Sequence, residues 1–122
     1  MLENTLKIIE QKIVENNILD NRKVELLVDF LRNYEVGQYI YPGMIISKLK
    51  ITSAIAYNVL TNMEVNGFIS KSYEEYCSYC GKVNGNIYDS FGDIPEKMYC
   101  KFCGDRLDPI DDTVVIYKVE VI

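Results

Sequence analysis

The chain predicts an α+β fold with helices first, strands last and a metal-binding insert between the final two strands. Three observations carry this. Apolar residues recur at helical spacing as far as residue 66. β-prone runs follow at 68–76 and 113–122. Between those runs stand Cys77, Cys80, Cys100 and Cys103, in two Cys-x-x-Cys-Gly turns.

The first helix is expected over 2–18, where Leu2, Leu6, Ile9, Ile13 and Val14 share a face and Glu3, Lys7, Glu10 and Lys12 lie outside it. Asn16-Asn17 weakens it, and Asp20-Asn21 offers an N-cap to the next. That second helix spans 22–34 on Val24, Leu27, Val28 and Leu31, widened by Leu26 and Phe30, and Gly37 ends it. Gln38-Tyr39-Ile40 is a short β-prone piece. Pro42 suits the first turn of a third helix carrying Met44, Ile45, Ile46 and Leu49. Lys50-Ile51 is a turn, and Thr52 or Ser53 caps a fourth helix over 53–66. Ile55, Val59, Leu60 and Met63 face inward there, and Asn66-Gly67 stops it. The run at 113–122 is the strongest strand in the chain.

The cysteine pairs are separated by 19 residues, 81–99, within the Cys-x2-Cys-x15–20-Cys-x2-Cys zinc pattern. Glycine after each pair can take the left-handed conformation that closes a tight turn. Two facing turns present four thiolates as a tetrahedron, which suits one structural Zn²⁺ per chain. There is no other Cys and no His, so the ligand set is closed. Two alternatives stand beside zinc. One is a disulfide pair, disfavoured by an N-terminus without a signal-peptide pattern and by the cytoplasmic location this implies. The other is iron in a rubredoxin-like S₄ site, with Tyr76, Tyr79, Tyr99 and Phe102 flanking the turns. A closed Cys₄ site offers no open coordination position, so its expected task is folding, not catalysis. Residues 81–99 hold few large apolar groups, so the metal is expected to replace a core there.

Composition narrows the function classes. With no His, no Gly-rich phosphate loop and no nucleophile elbow, no catalytic constellation stands out, and a non-enzyme is expected. No apolar run approaches a membrane span. The net charge of −5 disfavours nucleic acid, but its distribution is uneven. Residues 71–122 carry ten acids and six bases, whereas 37–73 carry Glu64 alone against Lys48, Lys50 and Lys71.

From residue 22 the order is helix, short strand, helix, helix, strand, insert, strand. The stretch Leu60-Thr-Asn-Met63-Glu64-Val-Asn-Gly67-Phe68-Ile69 resembles the end of the recognition helix and the start of the wing in bacterial winged helix-turn-helix domains. The resemblance covers about 22–76 and, if the last strand completes the wing, 112–122. It implies a winged helix with an extra N-terminal helix and a zinc ribbon inserted in or appended to the wing. The organisation then reads 1–76, N-terminal helix and winged-helix core; 77–111, ribbon; 112–122, a strand returning beside Phe68–Tyr76 with both faces covered.

The resemblance also implies function. The helix at 53–66 would enter the major groove of double-stranded DNA with Thr52, Ser53, Ala56, Tyr57 and Asn58, while Lys48, Lys50 and Lys71 touch phosphates. The expected role is transcriptional control by a bacterial or viral regulator. This helix carries no Arg or Lys, which departs from the family's basic habit. The alternative is an adaptor subunit that uses winged helix and ribbon as a scaffold for a protein partner. The first helix is also a candidate homodimer contact through Leu6, Ile9, Ile13 and Ile18, or it packs on its neighbour within the chain.

Overall fold

A computed structural model describes residues 1–121. The chain is α+β. Its elements are α1 (Glu3–Glu15), α2 (Asn21–Leu31), β1 (Tyr39–Ile40), α3 (Pro42–Leu49), α4 (Ser53–Val65), β2 (Ile69–Tyr76), β3 (Val83–Tyr88), a 3₁₀ turn (Phe91–Asp93), β4 (Met98–Tyr99), β5 (Arg106–Leu107) and β6 (Thr113–Val119). The last residue of the expected final strand, Ile122, lies outside the described residues. Two compact units form: Met1–Ser70 with the chain from Tyr117 onward, and Lys71–Ile116. Among the described residues no helix is long and apolar enough to cross a membrane.

The first unit holds all four helices. α1 ends at Glu15, short of the expected 18, because Asn17 turns left-handed at φ 52°. The Ile18 N–H then bonds the Ile13 carbonyl and the Asn17 N–H the Val14 carbonyl, which satisfies the carbonyls of the last turn. Asp20 caps α2 by accepting from the Lys23 N–H at 2.9 Å. Pro42 opens α3, and Thr52 caps α4 by accepting from the Ile55 N–H at 3.2 Å. α4 closes through Gly67 at φ 81°, with the Phe68 N–H on the Met63 carbonyl.

α4 packs against both α3 and α1, so its buried face is Ala56, Val59, Leu60 and Met63, all fully buried. This corrects one expectation: Ala56 points into the core, not toward a ligand, and Ile55 sits at the edge of the buried face. On α1 the core stripe is Leu6, Ile9 and Ile13, while Leu2 and Val14, expected inside, are exposed. The stripe packs within the chain, on α2 and α4.

The main sheet has the order β1-β6-β2-β3. β1 pairs antiparallel with the end of β6, Tyr39 opposite Lys118. β6 and β2 are joined by the Glu120 N–H to the Phe68 carbonyl and the Tyr76 N–H to the Asp112 carbonyl, so they run antiparallel. The final strand thus does return beside β2. It is buried on both faces only toward its end, at Ile116, Tyr117 and Val119; Val114 is exposed.

The second unit contains more regular structure than its composition suggests. β3 pairs antiparallel with β2, Tyr73 opposite Tyr88 and Tyr76 opposite Val83, with a shift of register between Glu74 and Tyr76. β4 and β5 make a second, two-stranded sheet. Residues 81–99 contribute only Ile94 and Met98 to a small buried cluster. Ile94, Met98 and Leu107 bury themselves against Cys77 and Cys100, and Tyr73 and Tyr88 pack on that cluster.

Candidate metal centre

Each cysteine pair sits in the same backbone turn. In the first, the Cys77 N–H bonds the Lys82 carbonyl at 2.9 Å and the Gly81 N–H returns to the Cys77 carbonyl at 2.7 Å. In the second, the Cys100 N–H bonds the Asp105 carbonyl at 2.8 Å and the Gly104 N–H the Cys100 carbonyl at 2.9 Å. Gly81 and Gly104 have φ 74° and 77°, the left-handed positions expected from the sequence. The turns aim backbone donors at sulfur: Cys80 N–H to Cys77 Sγ and Phe102 N–H to Cys100 Sγ, both 3.4 Å.

All four cysteines are free, and their sulfurs lie within 4.8 Å of one another. Cys77–Cys103 and Cys80–Cys100 are each 3.6 Å apart, far beyond a disulfide bond. A tetrahedral site with metal–sulfur bonds of about 2.3 Å has sulfur edges of about 3.8 Å. The donor set therefore fits a metal ion. Cys77 and Cys100 are buried, Cys80 is half-buried and Cys103 exposed.

The four thiols are electrostatically coupled. Burial alone would raise Cys100, but the N–H groups of Cys103 and Phe102 and the thiols of Cys80 and Cys103 lower it to about 6. For Cys103 the Asp105 N–H favours the thiolate, yet burial and the other three sulfurs push it up to about 12. Cys80 is likewise raised: the Lys82 N–H favours its thiolate, but burial and the sulfurs of Cys100 and Cys77 outweigh it. One proton leaves the cluster readily and the next resist. A cation bound among the sulfurs would supply charge that lets the thiolates coexist.

Two polar side chains hold the turns, and the sequence reading passed over both. Asp112, 5% exposed, accepts from the Ser78 N–H at 2.9 Å, the Ser78 hydroxyl at 2.6 Å and the Asp108 N–H at 2.6 Å. Burial disfavours its charge, but those donors outweigh burial and hold its carboxyl below the usual range. It ties the first metal turn to the chain that leaves the second. Asp108-Pro109 is the local cue, an Asx-type turn in which the Asp108 carboxylate accepts from the Ile110 and Asp111 N–H groups. Asn84 accepts from the Lys101 N–H at 2.9 Å and so joins β3 to the second turn.

The residues expected to contact DNA are distributed unevenly. Ser53, Tyr57 and Asn58 are exposed on α4, Tyr57 by 43%. Thr52 is exposed but already engaged as the cap. Lys50, at the turn before α4, is exposed and left-handed at φ 52°, and its carbonyl accepts from Lys23 Nζ at 3.1 Å. Lys48 lines a pocket of about 350 Å³ with Leu26, Asp29, Phe30 and Asn33, so it is directed toward α2. Lys71 is exposed and belongs to the second unit. Comparison with protein families, with curated proteins and with solved structures returns no match.

Proposed function

We propose that this is a DNA-binding protein of winged-helix type whose second unit is a zinc ribbon folded around Zn²⁺ held by Cys77, Cys80, Cys100 and Cys103. The metal reading rests on four cysteine sulfurs within 4.8 Å of one another, a set that suits tetrahedral coordination. Iron in the same S₄ geometry is the alternative, and elemental analysis together with the presence or absence of a visible charge-transfer band decides between them. The ion's contribution is charge and a fold constraint, while the chain's own residues position the sulfurs.

The DNA reading rests on one observation. α4 buries Ala56, Val59, Leu60 and Met63 and leaves Ser53, Tyr57 and Asn58 exposed, one turn after the cation of Lys50. Asn can bond adenine through two hydrogen bonds, and lysines near the helix start supply phosphate contacts. Transcriptional control is the process this favours. The test is a salt-dependent duplex titration of the metal-loaded protein. Asn58→Ala should cost about 1–3 kcal/mol at one base position. Lys50→Ala and Lys71→Ala should weaken all sequences alike and reduce the salt slope by about one each.

The adaptor reading is favoured by the net charge of −5 and by an α4 without Arg or Lys. It predicts no duplex affinity even at low salt. A partner or second copy would then meet the final strand, or Ile8 and Val14 on α1 with Leu2 just before it, these three exposed.

A further inference from the structure

We infer that the metal-bearing unit carries a binding point for single-stranded nucleic acid, made by the exposed Phe102 ring and the ammonium groups of Lys82 and Lys101. The site is separate from α4, and its three residues lie within Lys71–Ile116.

The starting observation is a ring that the fold does not use. Phe102 is 53% exposed and takes no part in the buried cluster around the sulfurs. Two cations converge on it: Lys82 Nζ lies 5.0 Å and Lys101 Nζ 5.4 Å from its centroid. Like charges held over one ring repel, so the pair gains by accepting an anion between them. Among the described residues neither ammonium has a carboxylate partner.

The three residues are also held in place. The Lys82 carbonyl accepts from the Cys77 N–H, the Phe102 N–H points at Cys100 Sγ, and the Lys101 N–H is bonded to Asn84. Gly85, at φ 87°, leaves room for Lys101: a Cβ there would sit 3.4 Å from its Nζ. The backbone that presents the ring and the cations therefore needs no reordering on binding.

The pairing of a flat apolar ring with two unpaired cations selects the ligand. A free phosphate or an acidic peptide would use the cations and leave the ring idle. A duplex keeps its bases stacked on each other. A single strand offers an unstacked base and a phosphodiester together. Residues 71–116 carry nine acids and five bases, so long-range attraction is absent and binding depends on this local contact. Three of those acids, Glu74, Glu75 and Asp112, are buried.

The experiment is fluorescence anisotropy of a labelled short oligothymidylate with the full-length, metal-loaded chain. We expect saturable binding at low salt with a log–log salt slope of about −1.4, two phosphates on a single strand. Phe102→Ala should weaken it about tenfold, as loss of one stacked base predicts. Phe102→Tyr should retain it, and Lys82→Gln with Lys101→Gln should abolish the salt slope. Metal content, measured in each variant, should be unchanged. Tyr57→Ala and Asn58→Ala should have no effect, which separates this site from the α4 reading. Absence of binding at low salt overturns the proposal, as does wild-type affinity in Phe102→Ala. Competition by polyglutamate as effective as by unlabelled oligothymidylate overturns it too, showing an anion patch without base recognition.

Discussion

The Asp112 carboxylate accepts both the backbone N–H and the hydroxyl of Ser78, the residue that follows the first metal ligand. A third bond, from the Asp108 N–H, leaves this buried carboxylate accepting three hydrogen bonds. Asp112→Ala leaves three donors without their acceptor. It should destabilise the unit by about 2–3 kcal/mol. Because Ser78 sits inside the first cysteine turn, metal transfer to a chelator should also quicken. A chelator dye followed by absorbance measures this; an unchanged transfer rate would show that the metal alone holds the turn.

Asp112 also sets a pH dependence with a definite sign. Its folded-state pKa is lowered by the Ser78 and Asp108 donors against the opposing effect of burial. Its stabilisation is therefore fully present above the unfolded carboxyl value of about 3.9 and is lost as pH falls through the lower folded value. Compared with Asp112→Asn at each pH, the wild-type chain should keep a constant advantage from neutrality down to about pH 5 and lose it below about pH 4. Metal content is measured at each pH in both proteins and the comparison is made where it is equal, because Asp112 also bears on how firmly the first turn holds the metal. An advantage that grows on acidification would mean the carboxyl is protonated in the folded state.

These two predictions rest on a residue that the sequence did not mark. Asp112 stands in an acidic stretch, and nothing local distinguishes the one carboxylate that folds inward. β3 was hidden for a similar reason. Val83-Asn84-Gly85-Asn86-Ile87-Tyr88 has poor β-propensity, and it is a strand because β2 pairs with it and Glu75 bonds both Asn86 and Tyr88. Ile94, Met98 and Leu107 are single apolar residues too widely spaced to show a period. The helices were legible because their stripes repeat every 3.6 residues and their ends carry strong signals: Asp20, Pro42, Thr52 and Gly67 each act where expected. Ala56 was misassigned because a small residue weighs little in any stripe, although it falls at the helical spacing of Val59, Leu60 and Met63. The cysteines were legible because four soft ligands in paired turns admit few other uses.

Cys80→Ser should lose the metal and the order of the second unit while sparing the helices. α1, α2, α3 and α4 all belong to the first unit, whose buried residues include Leu27, Ile45 and Leu60. The apolar cluster around the sulfurs is small and includes Cys77 and Cys100 themselves, so it does not survive their release. Far-ultraviolet circular dichroism should keep its helical signal. A helical signal that collapses with the metal would show that the two units fold as one.

Tyr88→Phe probes the hairpin that carries Asn84. The buried Glu75 carboxylate accepts from the Tyr88 hydroxyl and Asn86 Nδ2, each at 3.1 Å. Burial first, then the charge and hydrogen bond of Glu75, raise the Tyr88 pKa. Removing the hydroxyl takes one of two donors from a buried charge and should cost about 1–2 kcal/mol. Hydrogen exchange at β3 amides should speed up, whereas exchange in α1 to α4 should not change. Equal protection of β3 in both proteins would mean that strand pairing alone sustains the hairpin.

Lys50→Gly separates charge from stability at the turn before α4. Lys50 is left-handed at φ 52°, a conformation that costs a residue with a Cβ about 1–2 kcal/mol, and glycine adopts it freely at some cost in unfolded-state entropy. Its side chain is exposed; its backbone N–H bonds the Ile46 carbonyl and its carbonyl accepts from Lys23 Nζ, both of which glycine keeps. The substitution should therefore stabilise the first unit by up to about 1 kcal/mol while removing one cation from the α4 side. If Lys50 contacts a phosphate, the more stable variant should bind duplex DNA more weakly, with a salt slope reduced by about 0.9. Thermal melting and the salt titration are read on the same sample. Higher stability with an unchanged slope would retain the conformational argument and remove Lys50 from the DNA-contacting residues.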